Sequence, residues 1–214
     1  MSPPTPDKEF PDMTQIKAVL FDVGNVFIPW HPENLFRKVI TDAERRAYFL
    51  QTVVPMDWHV HHDAGVTFAE NRKGPLERFP DFADEIHAFD TRFDEMLGEP
   101  ISETLAVAEE LHEKGVPLYA LTNMPQEKAQ MVFSKISVWP YIRDVIVSGD
   151  EKIMKPDPAI YELALTRMGL TAPEVFFTDD SVANIDAAKR LGFVTHLFDR
   201  PETLRPALVE AGVL

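Results

Sequence analysis

The alternation of short apolar runs with amphipathic segments is the feature that most restricts the fold of this chain. Each apolar run has the length of a buried strand, and segments with helical spacing separate the runs. The expected strands are Lys17–Asp22, Val116–Thr122, Asp144–Ser148, Val175–Asp179 and Phe193–Leu197. Strands that alternate with helices predict an α/β fold, a parallel five-stranded sheet with helices on both faces.

The helices between these strands have recognisable ends. Ser102–Glu113 has apolar residues at helical spacing, and Asp157 and Pro158 are placed as N-cap and first residue of a helix that runs to Met168. Two further helices are expected over Ser181–Leu191 and Pro201–Ala211. The positions of these elements put the carboxyl ends of the strands at one edge, where such sheets bind ligands.

The alternation is interrupted between about Pro32 and Gly98, where no run resembles a strand. Two capping-box patterns, Thr41-x-x-Glu44 and Thr67-x-x-Glu70, predict helix starts in this stretch. We therefore expect a helical cap over residues 32–98, inserted after the first strand, and a core formed by residues 16–31 and 99–214. Residues 1–15 contain four prolines and are expected to be a disordered leader.

Composition excludes several classes of function. The chain has 214 residues, with 21 Lys and Arg against 35 Asp and Glu, a formal charge of −14. This charge disfavours nucleic acid and anionic membranes as partners. There is no cysteine and no apolar stretch long enough to span a bilayer. The expected protein is cytoplasmic, and either a monomer or a homodimer.

Polar residues at the strand ends form a set suited to phosphoryl transfer. The set comprises Asp22, Thr122, Lys155, Asp179 and Asp180. A carboxylate can attack phosphorus, and two carboxylates can hold a divalent cation that screens the nucleophile from the phosphate. Hydroxyl and ammonium groups can then hold the phosphate oxygens. Mg²⁺ prefers such oxygen ligands.

Four motifs in order make the chain resemble a haloacid dehalogenase superfamily hydrolase with a Rossmann-like core. They are FDVGNV at Phe21–Val26, LTN at Leu121–Asn123, Lys155 in KPDPAIY, and FFTDDSVANIDAA at Phe176–Ala188. The resemblance extends from about Ile16 to the C-terminus, and the helical insertion lies where this superfamily places its first type of cap.

The resemblance also implies roles for individual residues. Asp22 would be the nucleophile and a metal ligand, and Lys155 would steady both phosphate and nucleophile. The remaining roles are metal binding by Asp180 and the carbonyl of Gly24, substrate binding by Thr122, Asn123 and Asn25, and an outer-shell metal contact for Asp179.

Gly24 departs from the family pattern. Family phosphatases usually carry there a second Asp that protonates the leaving group, whereas the DxGNV variant resembles sugar-1-phosphate phosphatases and the epoxide hydrolase N-terminal phosphatase domain. Without that acid, rates should depend steeply on the leaving group, since general acid–base help is worth about 10²–10⁴-fold. His59 and Asp63 in the cap are candidate substitute donors.

The cap segment Asp57–Asp63 contains three histidines. We interpret them as a surface cluster, in preference to a metal site or a role in substrate binding or proton transfer. Trp58 and Trp30 are expected to serve packing.

The sequence thus favours a magnesium-dependent phosphatase, a phosphoric monoester hydrolase that acts through an aspartyl-phosphate. Its expected substrate is a small phosphorylated metabolite, with a sugar phosphate as one candidate. Two alternatives stay open: a metal-independent 2-haloacid dehalogenase in which Asp22 attacks carbon, and a catalytically weak protein that binds a phosphorylated ligand.

Overall fold

A computed structural model describes residues 15–214, so that all but the last position of the expected leader lies outside the described residues. Within this range five parallel strands form one sheet in the order β3-β2-β1-β4-β5. The strands are β1 (Ala18–Phe21), β2 (Leu118–Thr122), β3 (Ile142–Val147), β4 (Val175–Asp179) and β5 (Val194–Leu197). The predicted α/β class with a parallel sheet is confirmed.

The central position of β1 determines where the polar strand ends meet. Phe21 pairs with Ala120 on one side and with Thr178 on the other. The next residue, Asp22, continues this register, because its backbone N–H donates to the carbonyl oxygen of Thr178 at 2.9 Å. The ends of β2 and β4 therefore flank Asp22 at one edge of the sheet.

The helices between β1 and β2 lie in the stretch expected to form the cap. They are α1 (Glu33–Val39), α2 (Ala43–Tyr48), α3 (Met56–Asp63), α4 (Phe68–Asn71), α5 (Lys73–Arg78) and α6 (Ala83–Thr91). A π-helical turn (Phe49–Val53) follows α2, and 3₁₀ turns occupy Pro80–Phe82 and Phe93–Met96.

One of the two predicted caps in this stretch is confirmed. Thr67 caps α4 by accepting a hydrogen bond from the backbone N–H of Glu70 at 3.2 Å. The prediction that Thr41 caps a helix was wrong, because the adjacent Asp42 accepts the bond from Arg45 N at 2.7 Å. The helix consequently begins one residue later.

The remaining helices cover the two faces of the sheet. They are α7 (Ser102–Glu113), α8 (Gln126–Phe133), α9 (Ser148–Glu151), α10 (Pro158–Met168), α11 (Val182–Arg190) and α12 (Pro201–Glu210), with 3₁₀ turns at Trp139–Tyr141 and Ala172–Glu174. Along β1, Ala18 and Leu20 enter one apolar core, and Val19 and Phe21 enter the other. All four are fully buried, which explains the unbroken apolar run of this strand.

None of the helices in residues 15–214 combines the length and the apolar character needed to cross a membrane.

Candidate active site

A buried ammonium group organises the carboxyl edge of the sheet. Lys155 Nζ lies 2.9 Å from Asp22 Oδ1, 2.7 Å from Asp179 Oδ2 and 2.8 Å from the carbonyl oxygen of Leu121. These three acceptors match the three N–H donors of the ammonium. Burial by itself lowers the pKa of Lys155, but the two carboxylates outweigh burial and hold its pKa above the ordinary value. Lys155 is therefore charged.

The two oxygens of Asp22 have different surroundings. Oδ1 accepts hydrogen bonds from the backbone N–H of Val23 at 2.7 Å and from Lys155. Oδ2 makes no hydrogen bond to any of residues 15–214. Burial raises the pKa of Asp22 to about 7, and the charge of Lys155 opposes that rise. One oxygen is thus fixed in place, and the other remains available to attack a substrate.

The second motif supports Lys155. Asn123 Nδ2 donates to the carbonyl oxygen of Lys155, and Asn123 Oδ1 accepts from the backbone N–H of Lys155, both at 2.9 Å. Asn123 therefore positions the lysine, although it also lines the cavity above the site. Thr122 is buried, and its Oγ1 has no hydrogen-bond partner among the described residues. Thr122 is not among the residues that line the cavity above the site.

Asp179 is held by three donors. Besides Lys155, the backbone N–H of Ser181 donates to its Oδ1 at 2.8 Å, and Asn184 Nδ2 lies 3.0 Å and 3.1 Å from its two oxygens. Asp179 is completely buried. Its oxygens are engaged in fixing Lys155 and the start of α11.

Asp180 is held by Asn25, whose Nδ2 donates to Asp180 Oδ2 at 2.9 Å. The Oδ1 of the same amide accepts from the backbone N–H of Trp30 at 3.2 Å. Asn25 has a φ of 55°, in the left-handed region that Asn tolerates better than most residues. The Asn25 amide thus connects Asp180 to the loop after β1, and both its nitrogen and its oxygen already make a hydrogen bond within the protein.

Three carboxylates at this edge could hold a cation. Asp22, Asp179 and Asp180 each offer an oxygen within 4.8 Å of the others. The oxygens of Asp179 already accept several hydrogen bonds, whereas Asp22 and Asp180 each keep an oxygen without one among the described residues. Gly24 borders the same cavity. This all-oxygen donor set fits a divalent cation such as Mg²⁺, with Asp22 and Asp180 as the carboxylates best placed to bind it.

A cavity of about 210 Å³ lies above these groups. Its floor contains the polar residues of the strand ends, and its wall toward the cap is largely apolar. The apolar wall is formed by Ile28, Trp30, Met56, Phe93, Leu97, Met124, Pro125 and Val132.

The structure places the α3 histidines differently from the surface cluster expected from the sequence. His59 and His62 are buried, and His61 is the one exposed member of the three. The surface interpretation was wrong for the two buried residues, because aromatic rings cover them. His59 stacks on Trp30 with ring centroids 4.4 Å apart, and His62 stacks on Phe68 at 4.0 Å. Burial lowers the pKa of His59 to about 3 and that of His62 to about 4. Both are neutral near pH 7.

Asp63, at the end of α3, is a buried carboxyl that lines the same cavity as Asp22 and Lys155. Its Oδ1 has no hydrogen-bond partner within residues 15–214 and lies 3.7 Å from His59 Nε2. Burial raises the pKa of Asp63 to about 7, the charge of Lys155 lowers it, and Asp22 raises it further. This carboxyl can therefore carry a proton near neutral pH.

Comparison with known proteins agrees with this arrangement. The family model of haloacid dehalogenase-like hydrolases matches residues 16–192. The chain belongs to this family of hydrolases. The family resemblance read from the four motifs is thereby confirmed.

Relatives of this haloacid dehalogenase-like hydrolase include both phosphatases and dehalogenases. It is 26% identical over 200 residues to the sesquiterpene phosphatase astK of Aspergillus oryzae, covering 87% of this chain and 92% of astK. It is 31% identical over 145 residues to (S)-2-haloacid dehalogenase 4A of Burkholderia cepacia, covering 64% of this chain and 57% of that enzyme. A Bacteroides thetaiotaomicron enzyme of the same family, solved with magnesium and inorganic phosphate, is 26% identical with a TM-score of 0.66, covering 85% of this chain and 93% of that one.

Sequence reasoning missed several residues of this hydrolase's site. Asn184 is one, although its place five residues after Asp179 in the fourth motif was a usable signal. Trp30 was expected to serve packing alone, yet it lines the cavity, as do Met56 and Phe93. No local pattern marks these three, because Met56 and Phe93 reach the cavity through the fold of the cap and Trp30 lies in the loop after β1.

Proposed function

We propose that this hydrolase is a magnesium-dependent phosphatase that cleaves a phosphate monoester through an aspartyl-phosphate on Asp22. The charge balance of the cavity floor carries this proposal. Asp22, Asp179 and Asp180 together outnumber the single ammonium of Lys155. An anionic substrate would be repelled unless a divalent cation offset the excess negative charge. The magnesium and phosphate bound by the Bacteroides relative support the same assignment.

The proposed metal ligands are Asp22, Asp180 and the carbonyl oxygen of Gly24. When bound there, Mg²⁺ neutralises negative charge on the phosphate and on the carboxylates. Asp179 is not a direct metal ligand in this proposal, because its carboxylate holds Lys155. We assign Thr122 to the phosphate oxygens, on the basis of its buried hydroxyl without a partner in the described range.

The proposed reaction begins at the free oxygen of Asp22. Asp22 Oδ2 forms a bond to phosphorus while the bond from phosphorus to the ester oxygen breaks, and the departing oxygen takes a proton from Asp63. A water molecule then attacks the phosphorus of the acyl phosphate and gives a proton to the Asp63 carboxylate, while the bond from phosphorus to Asp22 Oδ2 breaks and returns the Asp22 carboxylate. Inorganic phosphate leaves, and Asp22 and the protonated Asp63 are restored.

Asp63 suits the role of proton donor better than His59. The pKa of His59 is lowered to about 3 by burial, so that its imidazole carries no extra proton to donate near pH 7. Asp63 has a pKa raised to about 7 and an oxygen without a partner among residues 15–214. His59 instead packs beside Asp63, with its ring stacked on Trp30. In this proposal residues 32–98 form the cap that supplies the acid, and residues 16–31 and 99–214 supply the nucleophile.

The proposal is tested by measuring phosphate release from phenyl phosphate and halide release from 2-chloropropionate, each with magnesium and with excess chelator. We expect magnesium-dependent phosphate release and no halide. Asp22→Asn should reduce phosphate release by several orders of magnitude, and Asp180→Asn should raise the magnesium concentration required. Asp84→Asn, an exposed cap variant, is the matched control for loss of a carboxylate.

Three results would contradict the proposal. Chelator-resistant halide release would make the protein a dehalogenase, as its Burkholderia relative is named. Tight phosphate binding without turnover would make it a phospho-ligand-binding protein. Normal turnover by Asp22→Asn would exclude the covalent intermediate.

A further inference from the structure

The wall of the catalytic cavity indicates what kind of alcohol the phosphate is attached to. Above the polar floor most of the lining consists of rings and aliphatic chains, among them Ile28, Trp30, Phe93 and Leu97, and the polar side chains of the cap there are His59 and Asp63. Such surfaces leave most hydroxyl groups of a sugar without hydrogen-bond partners, which is costly for a buried polar group. The wall therefore favours an apolar leaving group.

The cations near the site are already paired. Among residues 15–214 the lysine and arginine side chains that line this cavity or the one next to it are Lys155 and Arg37. Lys155 is bound by two carboxylates, and Arg37 Nε lies 3.0 Å from Glu33 Oε2. The Lys155 ammonium has no free donor, and Glu33 offsets the charge of Arg37, so this set offers a substrate carboxylate no net positive charge. An alcohol without charge fits these surroundings.

A second cavity adjoins the first. Its volume is about 480 Å³, and Trp30, Met56 and His59 line both cavities and so form the partition between them. Leu50, Val54 and Phe89 supply apolar lining to the second cavity, and its polar lining includes Glu33 and Arg37, which pair with each other. The first cavity alone, at about 210 Å³, is smaller than the roughly 300–1,000 Å³ typical of ligand sites.

The Met56 side chain can move out of the partition between the two cavities when a ligand binds. Met56 is 55% exposed at the first turn of α3, and its unbranched side chain can adopt several rotamers at little cost. Displacing it would join the two cavities along the indole of Trp30.

We propose that the substrate is the monophosphate of an elongated, uncharged, largely apolar alcohol, whose chain passes Trp30 and Met56 into the second cavity. This inference rests on the phosphatase activity proposed above. It goes further by assigning the second cavity to the part of the substrate most distant from the phosphate.

The test is a series of n-butyl, n-hexyl and n-octyl phosphates, assayed below their micelle-forming concentrations with magnesium and the full chain. The ester oxygen is chemically alike across the series, so differences in kcat/KM report on the chain. Each methylene that enters apolar surroundings is worth up to about fourfold. We expect kcat/KM to rise at least about tenfold from butyl to octyl. Glucose 6-phosphate and phosphoglycolate should be poorer substrates than octyl phosphate.

Two variants test the path of the chain. Leu50→Arg introduces a charge in the second cavity, and Met56→Trp narrows the partition. Each should lower the octyl-to-butyl ratio of kcat/KM by about tenfold, the value of two to four methylenes. Val209→Trp replaces an exposed apolar residue outside both cavities and should leave that ratio unchanged.

The outcomes separate this inference from the proposed function. Phenyl phosphate hydrolysis with equal rates for butyl and octyl phosphate would overturn the apolar substrate and leave the phosphatase intact. If kcat/KM rises from butyl to octyl phosphate in Leu50→Arg and Met56→Trp as steeply as in the wild type, the assigned path of the chain would be overturned. No hydrolysis of any phosphate, phenyl phosphate included, would refute the proposed function, and the inference would fall with it.

Discussion

Replacing Asp63 with Asn tests whether the cap supplies the proton for the leaving group. The amide keeps the shape of the side chain but cannot act as an acid. For an alkyl phosphate, kcat should fall by about 10²–10⁴-fold, the usual value of general acid catalysis. For p-nitrophenyl phosphate, whose phenol leaves readily as an anion, the fall should be small. Because position 24 is a glycine, the sequence predicted rates that depend steeply on the leaving group. If Asp63 supplies the proton, only Asp63→Asn should show this steep dependence, and the wild type should show a shallow one.

The pH dependence gives a second readout. A pKa of about 7 means that Asp63 is about half protonated at pH 7 and about one-tenth protonated at pH 8. The protonated form of Asp63 is the donor, and ionisation of Asp22, whose pKa is also raised to about 7, partly offsets its loss. For an alkyl phosphate kcat/KM should therefore fall roughly threefold across that interval and about tenfold for each further pH unit. A cation bound nearby favours the carboxylate and shifts this fall to lower pH. Asp63→Asn should remove the alkaline fall.

Gly24 allows a rescue experiment. A Cβ built at Gly24 meets no heavy atom within 4 Å, so the structure has room for a side chain there. Gly24→Asp reinstates the acid of the family pattern beside Asp22. In the Asp63→Asn background it should recover a large part of the alkyl phosphate rate, because the second acid replaces the missing donor.

Asp57→Asn is the matched control, since Asp57 is an exposed carboxylate on the same helix. It should behave as wild type with both classes of substrate. Equal losses for alkyl and aryl phosphates in Asp63→Asn would refute the reasoning, because a structural defect affects both classes alike. An alkaline fall that persists unchanged in that variant would also refute it.

Two predictions concern stability. Lys155→Met leaves two buried carboxylates without their cation, which should cost about 3–5 kcal/mol and lower the melting temperature by roughly 6–20 °C in calorimetry; an unchanged melting temperature would contradict this. Because burial lowers the pKa of His59 to about 3, the unfolded chain takes up the proton first, and His59 contributes a loss of stability of up to about 1.4 kcal/mol per pH unit as the pH drops below about 6.5. The raised pKa values of Asp22 and Asp63 contribute with the opposite sign, so the effect of His59 is measured as the difference in slope from its variant. Urea unfolding at several pH values should show a smaller slope for His59→Gln, whereas exposed His61→Gln should keep the wild-type slope.

The core could be predicted from sequence because each of its elements has a local signal. The helix over Ser102–Glu113 and the Asp157 cap before Pro158 occur as predicted, and the strand over Val175–Asp179 has the predicted bounds. The prediction for the third strand began two residues late, because Ile142 is half-buried, Arg143 is exposed, and the two do not extend the apolar run. Parallel strands buried on both faces leave continuous apolar runs, and those runs are what the sequence displays.

The catalytic edge was predictable for a related reason. Asp22 follows one recognisable strand, Asp179 ends another, and Lys155 precedes the capped start of α10, and the parallel sheet then brings them together. The cap side of the site was not predictable in this way. The burial of His59 and Asp63 depends on how several short helices pack against Trp30 and the core, and a chain of short helices contains no periodic signal for that packing.

The position of the proposed acid links chemistry to the packing of the cap on the core. Gly65, two residues beyond Asp63, has a φ of 90°, and a Cβ there would lie 2.8 Å from the carbonyl oxygen of Gly149. The end of α3 is therefore seated closely on α9, and this contact sets where Asp63 stands relative to Asp22. An acid at position 24 would lie on the same loop as the nucleophile and would be present whatever the cap does. An acid at position 63 reaches the cavity from the cap, so that proton transfer depends on the packing of α3 against α9.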